Sequence, residues 1–467
     1  MRKAYEEYKT TGIQWLPKIP KHWEILKLRQ ILSSFSEKNH PDMPLLSVVR
    51  EKGVIIRNIE NTDENHNYIP DDLTNYKLVK TGQFAMNKMK AWQGSYGVSD
   101  HDGIVSPAYF VFSFALDIDK HFFNTAIRSK SYVSFFGQAS DGIRVGQWDL
   151  SMVRMKNIPF YVPTREEQKQ IVRFLDWKVS SINKLINLKQ QEITELKELK
   201  KATISNAVTH GLDKTVPMKD SGINWLGKIP QHWNIKRLKY TSLKHFSGTW
   251  GNECDGSSND KNCIRVADFN FENLSLSISN PTKRNYTCDE IRKYALQDGD
   301  ILVEKSGGGT KTPVGRAIYY NLNGSFLYAN FIEMIRVKKQ NSKFLVYLLA
   351  SMYHSGYINT MYNHTTGIQN LDINKYINQQ IVLPPREEQE QIVRFLDARC
   401  AEIDRLITEN QAQITNLHDL KSSLIADVVT GQIDVRDVTI PNYETVQEHA
   451  DEAPDTVENP LEADKEV

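Results

Sequence analysis

Long apolar runs are missing from this 467-residue chain; the longest, Ala108 to Leu116, falls well short of the roughly 18 residues a membrane span needs. The opening Met1-Arg2-Lys3-Ala4-Tyr5-Glu6-Glu7 has no apolar stretch of the kind a secretory signal carries, so a cytoplasmic location is expected. Cysteine is scarce. Cys254, Cys263, Cys288 and Cys400 include no Cys-x-x-Cys pair, and their irregular spacing without a partnered histidine favours free thiols over a zinc site. An excess of one charge is also absent, since the net charge is only +1. That balance is uneven along the chain. Val438 to Val467 holds nine acids and one lysine, net −8, which leaves +9 for residues 1 to 437. A basic body favours a polyanionic partner, and the acidic, proline-punctuated tail reads as disordered.

Catalytic signatures are missing too. No Gly-x-Gly-x-x-Gly follows a strand, and neither Asn-Pro-Pro-Tyr nor Asp-Pro-Pro-Tyr, the mark of an amino-methyltransferase, occurs. Ser306-Gly-Gly-Gly-Thr-Lys-Thr312 fails the glycine spacing of a P-loop, and Gln93-Gly-Ser-Tyr-Gly97 lacks the first glycine of a nucleophile elbow. There is no His-Glu-x-x-His and no paired-acid nuclease spacing. No catalytic and no metal-binding residues are assigned. The pattern is that of a binder.

What the chain does contain is a duplication. Gly12-Ile-Gln-Trp-Leu-Pro-Lys-Ile-Pro-Lys-His-Trp23 returns as Gly222-Ile-Asn-Trp-Leu-Gly-Lys-Ile-Pro-Gln-His-Trp233, with nine identities in twelve at an offset of 210. Arg165-Glu-Glu-Gln-Lys-Gln-Ile-Val-Arg-Phe-Leu-Asp176 returns as Arg386-Glu-Glu-Gln-Glu-Gln-Ile-Val-Arg-Phe-Leu-Asp397 at an offset of 221, and the match continues to Ile186 and Ile407. Between these blocks, residues 24 to 162 and 234 to 383 share little. One scaffold carries two different working surfaces. In the first block, Trp15, Pro17, Pro20 and Trp23, with Trp225, Pro230 and Trp233, suit a rigid staple of a chain end onto its domain.

The second block opens a long helix. Pro163-Thr164 and Pro384-Pro385 precede it, Glu166-Glu167 and Glu387-Glu388 suit its positive end, and no proline or glycine follows before Gly211 and Gly431. Some 45 residues at ~1.5 Å each reach about 65 to 70 Å. A heptad seam runs through Val179, Ile182, Ile186, Ile193, Leu196 and Thr203, matched by Cys400, Ile403, Ile407, Ile414, Leu417 and Leu424, with Lys189 and Asn410 in one layer. Two such helices are expected to pack as a coiled coil. The variable segments read as mixed α and β, with strands at Ile25–Leu32, Leu45–Val49, Gln83–Met89 and Ser106–Phe114 and helices at Tyr286–Tyr294 and Phe344–Met352.

Each variable segment has a strand that runs into a glycine-rich loop bearing basic, amide, hydroxyl and aromatic groups. The first offers Lys88, Lys90, Trp92, Gln93, Ser95 and Tyr96; the second offers Lys305, Ser306, Thr310, Lys311, Thr312 and Arg316. Lysine and arginine there suit phosphates, while amides and hydroxyls suit base edges. Later loops add Arg144 and Gln147 in the first segment and Asn363, His364 and Thr365 in the second.

On these two repeated blocks and their duplication around unlike segments, the chain resembles the specificity subunit of type I restriction-modification enzymes, over residues 5 to about 436. The resemblance implies a non-catalytic, double-stranded DNA-reading subunit of mixed α/β (α+β) class: two mixed α/β target recognition domains separated by two long antiparallel helices forming a coiled coil, in pseudo-twofold duplication. The expected boundaries are residues 1–162 and 213–383 for the recognition domains, 163–212 and 384–436 for the helices, and 437–467 for the tail. It further implies two modification subunits that methylate adenine N6 with S-adenosylmethionine and two restriction subunits, translocase and nuclease, that use ATP and Mg2+. No cofactor is expected on this chain. A two-headed DNA-binding regulator or architectural protein, and a fused methyltransferase, are the competing classes.

Overall fold

The computed structural model describes residues 3–50, 52–58, 69–144, 147–309, 312–365 and 368–449. It divides into two compact units, one of residues 1–190 with 411–467 and the other of residues 191–410. The division cuts both long helices, Arg165–His210 and Arg386–Val429, so each compact unit includes part of each helix.

In the first unit a four-stranded antiparallel sheet runs in the order Leu32–Phe35, Phe110–Phe114, Phe84–Met86, Tyr96–Val98. The second unit repeats that order with Ser242–Ser247, Ile332–Val337, Ile301–Glu304 and Ala317–Tyr319, although the sequences are unlike. Each domain then closes on itself. Glu24–Lys27 pairs antiparallel with Pro159–Val162, and Asn234–Arg237 pairs antiparallel with Gln380–Leu383, so the two ends of each variable segment lie side by side.

One expected strand is broken. Within residues 25–32 the strand Glu24–Lys27 gives way to a helical turn at Leu28–Ile31, because Gln30 accepts from the Lys27 amide at 2.8 Å and Leu28 and Ile31, three apart, both face the core. The expected helices form at Cys288–Tyr294 and Ser342–His354. The first is capped by Thr287, and the second buries Phe344 through Met352.

The long helices pack antiparallel inside each unit. In the first, Ile171, Phe174 and Leu175 of the first helix share a core with Val428 and Val429 of the second, and Lys421 bonds Asn183 at 2.8 Å. In the second, Ile204, Ala207 and Val208 meet Ile392, Val393, Leu396 and Cys400, and Lys200 pairs with Asp404 at 2.6 Å. Of the expected seam, Ile182, Ile186, Cys400, Ile403 and Ile414 are buried, and so is Asn410. Val179, Ile193, Leu196, Thr203, Ile407, Leu417 and Leu424 are half-buried. Among the described residues no helix is long and apolar enough to cross a membrane.

The shared blocks meet each other. Glu167, in the first turn of the first long helix, accepts from the Trp23 indole at 3.1 Å, from Tyr5 and from His22 at 2.9 Å. Glu388 repeats this with Trp233 at 3.0 Å and His232 at 2.9 Å. The next residue grips the domain on its other side. Gln168 accepts from the backbone of Asp119 at 2.8 Å and donates to the Pro163 carbonyl at 2.9 Å; Gln389 accepts from Asn341 at 2.9 Å and donates to Pro384 at 2.9 Å. Asp119 and Asn341 are the N-caps of the domain helices Lys120–Ile127 and Ser342–His354. Gly431 and Gly211, both at positive φ, lie against Trp23 and Trp233, and a Cβ on Gly431 would fall 2.3 Å from Pro20.

The described part of the tail is held against the first long helix. Residues 438–449 are ordered as an extended strap along the first half of the first long helix. Gln170 donates to the carbonyls of Val435 and Val438, Ser180 to Glu444, Asn183 to Val446 and Asn187 to Gln447. The Val446 amide returns a bond to Ser180 at 2.6 Å and the His449 amide one to Asn187 at 3.0 Å, while Lys421 holds Glu448 at 2.7 Å. Val438 and Ile440 also pack on the core. Most of these contacts use main-chain groups of the strap, Glu448 adds its carboxylate, and the Glu444 side chain stays exposed; residues 450–467 lie outside the described set. Truncation after Asp437 is therefore expected to lower the melting temperature of the first unit by at least about 2–4 °C, the equivalent of ~1 kcal/mol at this size. Hydrogen exchange should find the Val446 and His449 amides protected in the full chain. An unchanged melting temperature together with fast exchange at both amides contradicts the strap.

Candidate nucleic-acid interface

The loop and hairpin candidates, far apart in sequence, come together in each unit. In the first, the hairpin Ser140–Arg144 with Gln147–Leu150 lies on the short turn Ala91–Gln93. Trp148 stacks on Trp92 with ring centroids 5.3 Å apart at 28°, Lys88 pairs with Asp149 at 3.2 Å, and the Leu150 amide bonds the Lys88 carbonyl at 3.2 Å. In the second, the hairpin Tyr362–Thr365 with Ile368–Leu371 adds Ser306–Gly307 as a third strand. Ser306 donates to Asn370 at 2.6 Å, and the buried Gln369 bonds both the Gly309 carbonyl and the Val314 amide at 3.2 Å.

Exposure sorts the candidates. Lys90 is exposed, and Lys88, Trp92 and Gln93 are half-buried. Lys305 is half-buried with its ammonium on the Ser247 hydroxyl at 2.7 Å, and Thr312 is exposed. Thr310 and Lys311 lie outside the described residues, as do the side chains of Arg144, Gln147, Asn363, His364 and Thr365, although the backbone places those five on the two hairpins.

Four candidates belong to the fold and not to the surface. Tyr96 is fully buried, packed against Phe136 at 4.4 Å and Phe84 at 5.9 Å, because its place on the last strand of the four-stranded sheet turns it into the core. Ser95, 2% exposed, closes the loop through its backbone, with its carbonyl accepting from Asn87. Ser306 is buried and spent on Asn370. Arg316 forms a two-pronged pair with Glu304, at 2.8 and 3.0 Å, and lies 3.5 Å over the Phe271 ring. Burial pushes the Glu304 carboxyl above the ordinary range, against the pull of Arg316, which marks the pair as one that needs both members. Sequence spacing alone did not single out Asn370, Gln369 and Trp148, which join loop to hairpin; the relevant signal was their place in the later loops.

The comparisons agree on one family. The model described as "Type I restriction modification DNA specificity domain" matches residues 20–198 and 267–416. The chain is similar to the type I restriction enzyme StySPI specificity subunit of Salmonella potsdam, 24% identical over 309 residues, covering 66% of this chain and 64% of that protein. It thus spans a little under two thirds of the length of that relative. A putative type I restriction enzyme MjaX specificity subunit of Methanocaldococcus jannaschii is 23% identical over 456 residues, covering 92% of this chain and 97% of its own. Among solved structures, a chain of a type I restriction-modification system studied for complex assembly and conformational transition superimposes with a TM-score of 0.63 at 16% identity, covering 89% of this chain and 99% of that one, a match of fold. With both repeats matched by the family model, this chain belongs to the type I restriction-modification DNA specificity family.

Proposed function

We propose that this chain is the DNA-reading subunit of a type I restriction-modification assembly, in which each unit reads one half of a split, asymmetric target and directs adenine methylation or restriction by partner subunits. The observation that carries this reading is the mounting of two unlike surfaces on two copies of one frame. The loop–hairpin joint is an indole stack in one unit and an amide–hydroxyl lattice in the other. A protein built to read a palindrome would keep the same joint twice. Under this reading two modification subunits hold S-adenosylmethionine and two restriction subunits use ATP and Mg2+. This chain contributes recognition and holds the assembly, working in the cytoplasm, and the loop lysines Lys88, Lys90 and Lys305 contribute affinity without sequence preference.

Two measurements test this. Lys88→Ala, Lys90→Ala and Lys305→Ala are expected to weaken binding to all duplexes and to flatten the plot of log affinity against log salt by about one unit each. Arg316→Ala behaves differently: it leaves Glu304 buried without its counter-ion and lowers stability by about 3–5 kcal/mol. An unchanged salt slope in all three lysine variants removes these loops from the interface.

The second measurement concerns spacing. Both long helices run through both units, so their length is expected to set the gap between half-sites. Four residues inserted after Gln190, with four after Asn410, add ~6 Å. At ~3.4 Å per base pair the preferred gap widens by one or two pairs while the half-sites stay the same. Four residues make just over one turn, so the seam still faces its partner, whereas two would rotate it away. A folded, active four-residue variant with an unchanged gap contradicts the role of the helices as a spacer.

A further inference from the structure

The first unit carries an indole where the second carries amides. Trp148 lies across its hairpin opposite Gly142, and a Cβ on Gly142 would stand 2.5 Å from the indole ring, so only glycine there lets the ring lie in this position. On one side the ring is backed by Trp92, which the short turn Ala91–Gln93 holds above the fully buried Ala91, with Gly94 at φ 97° closing the turn. Even so, Trp148 remains 36% exposed beside the half-buried Gln93 and Lys88 loop.

A lone exposed aromatic is ordinary on a protein surface. This one differs in being immobilised before anything binds. A ring fixed by stacking loses little freedom when it meets a ligand, so its apolar area counts nearly in full toward binding. It also stands at the joint of the loop that carries the exposed Lys90 and the hairpin of Ser140–Arg144 with Gln147–Leu150. In the second unit the corresponding joint is closed by Ser306, Asn370 and Gln369, whose polar atoms bond within the protein.

Among base edges in the major groove, the one apolar feature is the 5-methyl group of thymine. We infer that Trp148, held by Trp92, is a specificity-determining contact of the first reader and meets a thymine methyl in its half-site. This rests on the reading of the first unit as a DNA reader.

The test uses the full chain assembled with its modification subunits and duplexes in which each thymine of the target is replaced singly by deoxyuridine. With the unaltered chain, one replacement in the first half-site is expected to weaken binding about three- to fivefold, the worth of one methyl group removed from water. In Trp148→Ala that replacement makes no further difference, while Trp148→Phe retains part of the sensitivity. Salt dependence is unchanged in both variants. Two results overturn the inference: no thymine in the first half-site that responds in the unaltered chain, a measurement that needs no variant, or a response that persists in full in Trp148→Ala. Loss of preference for target over non-target DNA by the unaltered assembly would instead refute the DNA-reading role itself.

Discussion

A carboxylate and an amide at the start of each long helix hold the frame together. Glu167 and Glu388 take the indole N–H of Trp23 and Trp233 and bond the adjacent histidines, while Gln168 and Gln389 reach the caps of the domain helices. Glu167, Gln168 and Gln389 are buried, so each bond replaces one that water would otherwise make, and removal of the acceptor would strand buried donors at about 1–3 kcal/mol each. Tyr5 adds a third donor to Glu167, and burial with that bond drives its phenol pKa far above the usual range. The two blocks retained in both copies of the sequence are therefore the two that touch. Their spacing is free to vary because only their ends must meet.

That arrangement gives the variable segments room to diverge. Each begins and ends in one antiparallel pair of strands and is bonded to the helix start by one glutamine, and its core is completed by apolar residues of the frame. The identical strand order of the two sheets, built from unlike residues, follows from this: topology is set by closure at the ends, and side chains need only satisfy burial and alternation. Loop chemistry is the least constrained layer, and it is where the two units differ most.

Elements governed by periodicity were legible in the sequence. The long helices, their seam and the strands at Leu46–Val49 and Phe110–Phe114 follow from spacing and from proline and glycine punctuation. The duplication made the second half readable from the first. Side-chain destination in the loops was not legible. Tyr96 and Trp92 lie four residues apart in one glycine-rich stretch, yet one enters the core against Phe136 and the other backs the surface under Trp148, a choice made by partners 40 and 56 residues further along the chain. Arg316 looked like a phosphate ligand because its partner Glu304 is separated by a loop. The strap was hidden for another reason: it is held through its backbone, and main-chain recognition leaves no mark in the composition of the segment that is held.

The central claim is that one chain carries two different readers on one duplicated frame. Methylation-sensitive sequencing of the genome of a host expressing this chain with its modification subunit tests it most directly. The account predicts a single methylated motif made of two unlike specific halves separated by a fixed run of unspecified bases. A continuous motif, or two halves that are inverted copies of each other, would contradict it.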